Sequence, residues 1–452
     1  TEADPESFLK AVTTLISPQS KLDSASFKVI EIQGTLASGA LESTVVFELA
    51  GAAGGAPGKG EWCQRTGTAL LSWRKEGREK EDPENGAWKL ARWQTKESVR
   101  ATLRAKPFED VTGPALGANP SYRDLILPSI DHFRERIDAA SGMDIYGHHG
   151  AAVGDANGDS LDDIYVAMPP GLPNLLYLGR DDGTFADGSR ESGADALDGT
   201  YQALFLDLEN DGDQDLFLVT ETGILLLAND GRGKFAEAPS GLPDMSVTRA
   251  TPISAAVADH DLDGFADAYV CSYVFWRGTV GEVGSRLPFP YHEAHNGAPN
   301  FLFQNRGDGT FEDVTEKSGL DADNNRFSFA ASWGDYDADG DPDIYVANDF
   351  GSNNLYRNNG NGTFTEVTRE AGVEDVGAGM SVAWEDYDLD CDLDLYVGNM
   401  LSSAGRRVTG TPDYKQASPE LQKLYRRHAR GNSLFRNRGD GTFEDVSARA
   451  GI

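Results

Sequence analysis

The sequence has 452 residues, of which 39% are hydrophobic and 10% aromatic, so it can bury a core and is not an acidic disordered tail. Its formal charge of −33 argues against nucleic acid and anionic membrane surfaces as partners, because phosphate groups are bound through cationic side chains. Cations and basic partners fit this charge, and the length predicts two to three domains or a repeat array with a smaller partner domain.

The 51 glycines, many in Asn-Gly and Asp-Gly pairs, predict tight turns between short strands and hence a mostly β protein. Cys63, Cys271 and Cys391 are too few for a disulfide framework, and the first two are most simply buried small residues. No apolar run approaches the roughly 20 residues that span a bilayer. Because the N-terminus "TEADPESFLK" has no secretion signal, the protein is either cytosolic or has lost its signal.

Residues 1–105 predict an α+β domain. The stretch "PESFLKAVTTLI" has helical spacing, and "FKVIEIQGTL", "STVVFELAGA", "GTALLSWRKE" and "WKLARWQTKE" indicate the long strands of one sheet. Residues 106–145 form a linker, in which "SYRDLILPSIDHFRERIDAA" predicts a helix or a pair of helices. The segment "FEDVT" at 108–112 copies the last strand of the repeats that follow and is a candidate for pairing with their edge.

From residue 146 to 452 the sequence repeats. The copies are "DANGDSLDD" from Asp155, "DLENDGDQD" from Asp207, "DHDLDGFAD" from Asp259, "DYDADGDPD" from Asp335 and "DYDLDCDLD" from Asp386. Their starts differ by 52, 52, 76 and 51 residues, and the longer interval contains an insertion of about 25 residues.

Each copy lies between two strand-like segments and is followed by a hairpin signature such as "NLYRNNGNGTFTEVT". Each unit is therefore predicted to be a four-stranded meander of about 50 residues, the size of a propeller blade. The predicted fold class is mostly β, a β-propeller with an N-terminal α+β domain.

The repeated nine-residue segments predict calcium loops. Side chains at positions 1, 3, 5 and 9 and the carbonyl at position 7 supply hard oxygen ligands, which suit Ca²⁺, whereas Zn²⁺ would require His or Cys. The predicted ligands are Asp155, Asn157, Asp159, Leu161 and Asp163; Asp207, Glu209, Asp211, Asp213 and Asp215; Asp259, Asp261, Asp263, Phe265 and Asp267; Asp335, Asp337, Asp339, Asp341 and Asp343; and Asp386, Asp388, Asp390, Asp392 and Asp394.

The loops lack the closing glutamate of an EF-hand, so the ninth-position aspartate is expected to complete each site. An isolated copy could simply be an acidic turn between strands, but five copies in register favour up to five structural Ca²⁺ ions, since unneutralised carboxylates would repel one another. Position 6 favours glycine, and Ser160 and Cys391 stand there in the first and fifth loops. A side chain at positive φ costs about 1 kcal/mol, which predicts weaker sites.

The loops together with "NLYRNNGNGTFTEVT" resemble FG-GAP/VCBS repeats, as in the integrin α-subunit propeller. The stretches "YGHHGAAVGDANGDSLDDIYV", "ANDFGSNNLYRN" and "NMLSSAGRRVT" are similar, more narrowly, to the cartilage acidic protein (ASPIC/UnbV-associated) family. This resemblance implies a calcium-binding β-propeller that is usually secreted, in a family that commonly continues with a further aspartate loop and a C-terminal domain. "GAWKLARW" gives residues 1–105 a resemblance to the nuclear transport factor-like (SnoaL-like) cone.

Two long insertions, 271–299 and 401–432, follow second strands and so lie on the side of the sheets opposite the calcium loops. Because loops carry function more often than scaffolds do, a partner site is predicted there. The candidates are Trp276, Arg277, Tyr291, His292, His295, Arg406, Arg407, Tyr414 and His428, each of which could instead pack its insertion onto the propeller. His148 and His149 are interpreted as structural.

The leading functional hypothesis is a calcium-stabilised, secreted or periplasmic protein that binds a protein or glycan partner without catalysis. No nucleophile elbow, phosphate-binding glycine loop or histidine-rich metal site occurs in the sequence. One alternative is a polysaccharide lyase or hydrolase, with Tyr291, His292, His295 and Arg407 as acid, base and charge stabiliser. Another places the ligand in the N-terminal cone, with the propeller as a docking platform.

Overall fold

The structure is a computed structural model. It describes residues 21–35, 40–53, 61–76, 87–103, 108–134, 149–243, 245, 250–275, 288, 293–400, 418–428 and 430–452. The chain divides into two compact units, Thr1–Asp110 with Ser402–Arg426, and Val111–Leu401 with Arg427–Ile452.

The first unit contains a four-stranded antiparallel meander of long strands. Its strands are β1 Lys21–Thr35, β2 Ala40–Ala53, β3 Glu61–Glu76 and β4 Ala87–Leu103. One face is buried because apolar residues alternate along the central strands: Val45, Phe47 and Leu49 on β2 pack with Cys63 and Leu71 on β3. The four strands agree with the prediction, and the predicted helix lies outside the described residues.

Short helices precede the repeats. They are α1 Thr112–Leu116, a π-helical turn α2 at Tyr122–Ile126, and α3 Ser129–Arg134. The suggestion that "FEDVT" at 108–112 forms a strand is wrong: residues 108–111 are irregular and α1 begins at Thr112. In the repeats, too, a short helix begins at the threonine that ends this motif. The sequence resemblance therefore reflects the start of a helix and not the pairing of a strand.

The second unit contains five four-stranded sheets, each an antiparallel meander in chain order, as predicted. The strands are β5 Ala151–Gly154, β6 Asp163–Val166, β7 Leu175–Gly179 and β8 Phe185–Asp187; β9 Thr200–Leu206, β10 Asp215–Thr220, β11 Gly223–Asn229 and β12 Phe235–Glu237; β13 Ala250–Ala258, β14 Asp267–Phe275, β15 Phe301–Asn305 and β16 Phe311–Asp313; β17 Ser328–Gly334, β18 Asp343–Asn348, β19 Asn354–Asn358 and β20 Phe364–Glu366; and β21 Gly379–Glu385, β22 Asp394–Asn399, β23 Ser433–Asn437 and β24 Phe443–Asp445.

Short helices follow the last strands of several sheets: α4 Ser189–Ser192, α5 Thr315–Ser318, α6 Thr368–Ala371 and, after α7 Pro419–His428, α8 Ser447–Ala450. Each of these four-residue helices ends at a glycine with positive φ, such as Gly319 at 80°, where a side chain would be strained. The chain thereby turns back to begin the next sheet.

Consecutive sheets pack face to face, which is the arrangement of propeller blades. Between the fourth and fifth sheets, for example, Tyr345 and Leu355 meet Leu395, Val397 and Phe435 in one buried cluster. Equivalent clusters join the other consecutive pairs, and the first strands β5, β9, β13, β17 and β21 lie side by side in that order. The fold is thus a mostly β array of propeller blades. The connections between the first and second strands of each blade all lie on one side of the array.

Candidate metal sites

Each aspartate loop connects the first and second strands of its sheet, so all five loops lie at the same position in the repeat. The first-position carboxylate organises the loop. In the fourth loop Asp335 accepts hydrogen bonds from the backbone N–H groups of Asp339 at 3.1 Å and Gly340 at 3.0 Å. The same pair of bonds occurs in the other four loops, which folds the chain around a set of carboxylates.

The ninth-position aspartate begins the second strand and is almost fully buried in every loop, with at most 2% of its surface exposed. In the fourth loop Oδ2 of Asp343 accepts the N–H of Tyr336 at 3.2 Å, and Oδ1 accepts the N–H of Asn358 at 2.8 Å. A carboxylate has about four lone-pair sites. Each oxygen of Asp343 therefore keeps one lone pair, consistent with the expectation that this residue completes the site.

The carboxylates converge within each of the last three loops. Ligand oxygens lie within 4.8 Å of one another in the groups Asp259, Asp261 and Asp263; Asp335, Asp337 and Asp339; and Asp386, Asp388 and Asp394. Oδ1 of Asp261 and Oδ1 of Asp337, both at the third position, are inaccessible to solvent and have no hydrogen-bond partner among the described residues. An unpartnered buried carboxylate oxygen is costly, so these donor sets fit a hard cation such as Ca²⁺.

The first two loops have different third-position residues. Asn157 supplies an amide and donates to Asp159 at 3.0 Å, while Glu209 has the longer side chain. Burial, followed by the nearby Asp215 carboxyl, raises the pKa of Glu209 to about 7. A cation must therefore compete with a proton for the oxygens of Glu209.

Charge crowding also raises pKa values elsewhere in the loops. Burial, together with Asp337 and Asp339, raises the pKa of Asp343 to about 7 despite two backbone hydrogen bonds. Burial and four neighbouring aspartates raise the pKa of Asp213 to about 6. Like charges crowded together disfavour ionisation, and a bound cation would relieve this repulsion.

The backbone of the loops is strained at two positions. As predicted, the sixth-position residues Ser160 and Cys391 have positive φ angles of 68° and 76°. Position 4 also has positive φ, which the sequence analysis missed: Leu262 and Leu389 adopt 58° and 63°. Leucine rarely adopts this conformation, so the loop geometry is imposed by its hydrogen bonds and carboxylates rather than by local preference.

Clefts lie next to two of the loops. One of about 300 Å³ lies between the third loop and the hairpin of the fourth sheet, and its lining includes Asp261 and Gly360. The other, of about 420 Å³, lies between the fourth loop and the hairpin of the fifth sheet, and its lining includes Asp337 and Gly439. Each cleft therefore borders a third-position aspartate, whose Oδ1 atom is itself covered.

The described structure contains two of the predicted partner-site residues, His295 and His428. His295 is about half exposed; its Nδ1 lies 3.2 Å from Asp323 and its Nε2 lies 3.7 Å from Glu293. His428 is buried, with Nδ1 3.0 Å from the carbonyl of Val376. The remaining candidates lie outside the described residues: Trp276, Arg277, Tyr291, His292, Arg406, Arg407 and Tyr414.

The ends of the two long insertions meet at the connection between β18 and β19. The N–H of Ala294, at the end of the first insertion, donates to the carbonyl of Phe350 at 2.7 Å. The ring of Phe350 stacks on His428, near the end of the second insertion, with ring centroids 6.3 Å apart. The described ends of both insertions therefore contact the β18–β19 connection, which lies at the opposite ends of the strands from the aspartate loops.

The other singled-out residues have structural surroundings. Cys63 and Cys271 are fully buried, and burial raises the pKa of the Cys271 thiol to about 12. Nδ1 of His149 lies 2.7 Å from the carbonyl of Thr200 in the next sheet, which accords with a structural role, while His148 lies outside the described residues. Cys391 is the exposed cysteine of the fifth loop.

The repeats match a known family. The sequence model of the FG-GAP-like repeat matches residues 155–218, 207–270, 294–346 and 335–397. The chain is 29% identical over 168 residues to cartilage acidic protein 1 of Homo sapiens, which is 36% of this chain and 25% of that protein. For the Xenopus tropicalis protein the identity is 28% over 160 residues, or 32% of this chain and 24% of that one. The match thus spans about a quarter of the length of these relatives.

Among solved structures, the chain is similar to an Agrocybe aegerita lectin described as recognising non-reducing terminal N-acetylglucosamine. The TM-score is 0.38 at 17% identity, over 66% of this chain and 65% of that one. AofleA from Arthrobotrys oligospora has a TM-score of 0.27 at 11% identity, over 76% and 88%. These likenesses are too low to indicate a shared binding site. Within the described residues, no helix is long and apolar enough to cross a membrane.

Proposed function

The chain belongs to the FG-GAP-repeat propeller family, and on this premise we propose that it is a calcium-stabilised, secreted or periplasmic protein that binds a protein or glycan partner. The observation that supports calcium is the geometry of the loops, in which converging carboxylates include the buried, unpartnered oxygens of Asp261 and Asp337.

The proposed ligands in each loop are the side chains at positions 1, 3, 5 and 9 with the backbone carbonyl at position 7. When bound, Ca²⁺ supplies positive charge that removes the repulsion between these carboxylates. The role is structural, because a cation held only by the folded loop stabilises the folded state.

The proposed partner surface is the side on which the two long insertions meet. Arg326 holds the end of the first insertion at Glu293, since its buried guanidinium donates to Glu293 at 2.5 Å and to Asp323 at 2.8 Å. His295 stands beside this pair and is exposed. A rigid scaffold with exposed polar loops on one side is suited to binding a macromolecule.

Thermal unfolding of protein stripped of metal, with and without added CaCl₂, tests the structural role. Calcium is expected to raise the midpoint by several degrees, because the gain grows with the ratio of free ion to Kd. MgCl₂ at the same ionic strength is the control, since Mg²⁺ is smaller and demands octahedral geometry. Equal midpoints in all three conditions would exclude calcium stabilisation.

A further inference from the structure

The third aspartate loop differs from the others at its second position, where it carries His260. This residue is only 3% exposed. Its Nδ1 lies 2.5 Å from Oδ2 of Asp267, and its backbone N–H donates to the same oxygen at 3.0 Å. In the tautomer that carries its hydrogen on Nδ1, the ring donates to Oδ2, which then accepts two hydrogen bonds.

Oδ1 of Asp267 also has a partner, because it accepts the N–H of Asn305 at 2.7 Å. Three of about four lone-pair sites on this carboxylate are therefore engaged within the protein. In addition, the side-chain amide of Gln304 donates to Oδ2 of Asp261, the third-position residue. Two carboxylates of the third loop thus already have side-chain donors.

The other four loops have no such donor at the second position, which is occupied by Ala156, Leu208, Tyr336 and Tyr387. Their ninth-position aspartates each accept one backbone N–H on each oxygen, at 2.7–3.2 Å. In the fourth loop one lone pair on each oxygen of Asp343 remains beyond these bonds, which permits bidentate coordination of a cation.

Packing does not explain the histidine. The His260 ring stacks on Phe364 with centroids 6.0 Å apart and lies 6.5 Å from Trp333. Tyr336 occupies the equivalent place in the fourth loop, 5.6 Å from Phe443 and 6.3 Å from Trp384. A tyrosine therefore fills the equivalent site between a phenylalanine and a tryptophan. What the imidazole of His260 adds is a hydrogen-bond donor to Asp267.

We propose that the hydrogen bond from His260 to Asp267 partly replaces a bound cation in stabilising the third loop. By donating to Asp267, His260 leaves a site that binds Ca²⁺ more weakly than the fourth loop and that keeps its conformation when no ion is bound. This inference rests on the proposed function, since it concerns differences among the calcium sites. The third sheet, in the middle of the array, would then be the one whose order depends least on calcium.

The test exchanges the second-position residues. Calcium binding to stripped protein is measured by isothermal titration and by native mass spectrometry for the wild type, H260Y and Y336H. The wild type is expected to bind its ion at the third loop at least tenfold more weakly than at the fourth. H260Y should gain one tight site, and Y336H should lose one. Both exchanges place a ring that the equivalent site already accommodates.

A second measurement is hydrogen exchange of the metal-free wild type. The amides of Asp263 and Gly264 are expected to be more protected than those of Asp339 and Gly340, and this difference should vanish in H260Y. Equal protection in the two wild-type loops, or an unchanged number of tight sites in H260Y, would overturn the role of His260 while leaving calcium binding intact. Absence of calcium binding from all three proteins would overturn the proposed function itself.

Discussion

Asn358 donates from its side-chain amide to the backbone carbonyl of His260 at 2.8 Å, which ties the end of β19 in the fourth sheet to the aspartate loop of the third. The same group donates to the carbonyl of Pro342 in its own loop at 3.1 Å. This bridge recurs in three other sheets, from Asn229 to Ala156, from Asn305 to Leu208 and from Asn437 to Tyr336. Each of the first four loops is therefore held by a later sheet.

Replacing Asn358 with alanine is expected to destabilise the protein by about 2–3 kcal/mol, because it leaves the buried carbonyls of His260 and Pro342 with a lost donor. The free energy of unfolding from urea denaturation measures this change. Asn359→Ala is the matched control, since Asn359 is exposed and makes its hydrogen bonds within its own hairpin. Equal losses from the two substitutions would contradict a bridging role.

The first sheet has Gly179 where the other four have asparagine. Its outer face packs instead on the preceding helices, where Leu116 and Tyr122 meet Leu175 and Tyr177. The side-chain amide of Asn119 also donates to the carbonyl of Phe185 at 3.0 Å. Gly179 thus has no preceding aspartate loop to reach, and the helices of the linker occupy the place that a preceding sheet takes elsewhere in the array.

Replacing Cys391 with glycine is expected to stabilise the protein by roughly 0.5–1 kcal/mol, since relief of the strained φ exceeds the entropy cost of glycine in the unfolded chain. Calorimetry at saturating calcium measures the change. The reciprocal control is Gly340→Ala in the fourth loop: φ there is 96° and the added Cβ meets open space, so only strain opposes it. If Cys391→Gly destabilised the protein, strain at the sixth position would not be the governing cost.

The repeat determined most of what the sequence predicted correctly. Aspartates at fixed spacing between period-two apolar segments allow one local structure, a loop joining two strands, and five copies require five sheets. The sheet order follows from this pattern. Residues 293–297 and 427–428 could not be placed in the same way, because insertions lack a period and their positions depend on contacts with distant connections such as Phe350.

The role of His260 was also missed from the sequence. A signal was present, since it is the one histidine among five second-position residues. Its meaning depends on whether the ring faces Asp267 or solvent, which only three-dimensional packing decides. Positive φ at Leu389 was similarly hidden, because intrinsic preference argues against it.

The stability of metal-free protein is expected to fall as the pH rises. Burial raises the pKa of Asp343 to about 7 in the folded state, above its ordinary value of 3.8. A raised pKa contributes stability that is fully present below pH 3.8 and is lost as the pH rises through 7. Bound calcium replaces the proton, so the difference in unfolding midpoint between calcium-bound and stripped protein should widen from pH 5 to pH 7.5.

Asp343→Asn is the control for this dependence, because it removes the titrating group while keeping a side chain of similar size. The variant is expected to be less stable overall, since its amide cannot accept two N–H bonds equally, but the pH slope of its metal-free form should be shallower. A midpoint of stripped wild-type protein that is constant from pH 5 to pH 8 would contradict the assignment.

The partner surface can be separated from the loop side by two exposed residues. His295→Ala, at the end of the first insertion, is expected to weaken capture of the native partner at least tenfold, whereas Asp181→Ala, in the exposed hairpin of the first sheet, should leave it unchanged. Immobilised protein exposed to native extract and to a glycan array measures this. Equal effects of the two substitutions would place the partner elsewhere.

The ion pair between Arg326 and Glu293 should hold the first insertion in place. The guanidinium is 8% exposed, and its carboxylate partners Glu293 and Asp323 are 35% and 39% exposed, so solvent screens the pair in part. Arg326→Met is therefore expected to cost about 2 kcal/mol, less than the 3–5 kcal/mol of a fully buried pair. A double-mutant cycle with Glu293→Gln, followed by urea denaturation, isolates the coupling between the two side chains. A coupling energy of zero would mean that packing around Phe350, and not this ion pair, fixes the insertion and with it the surface that meets the partner.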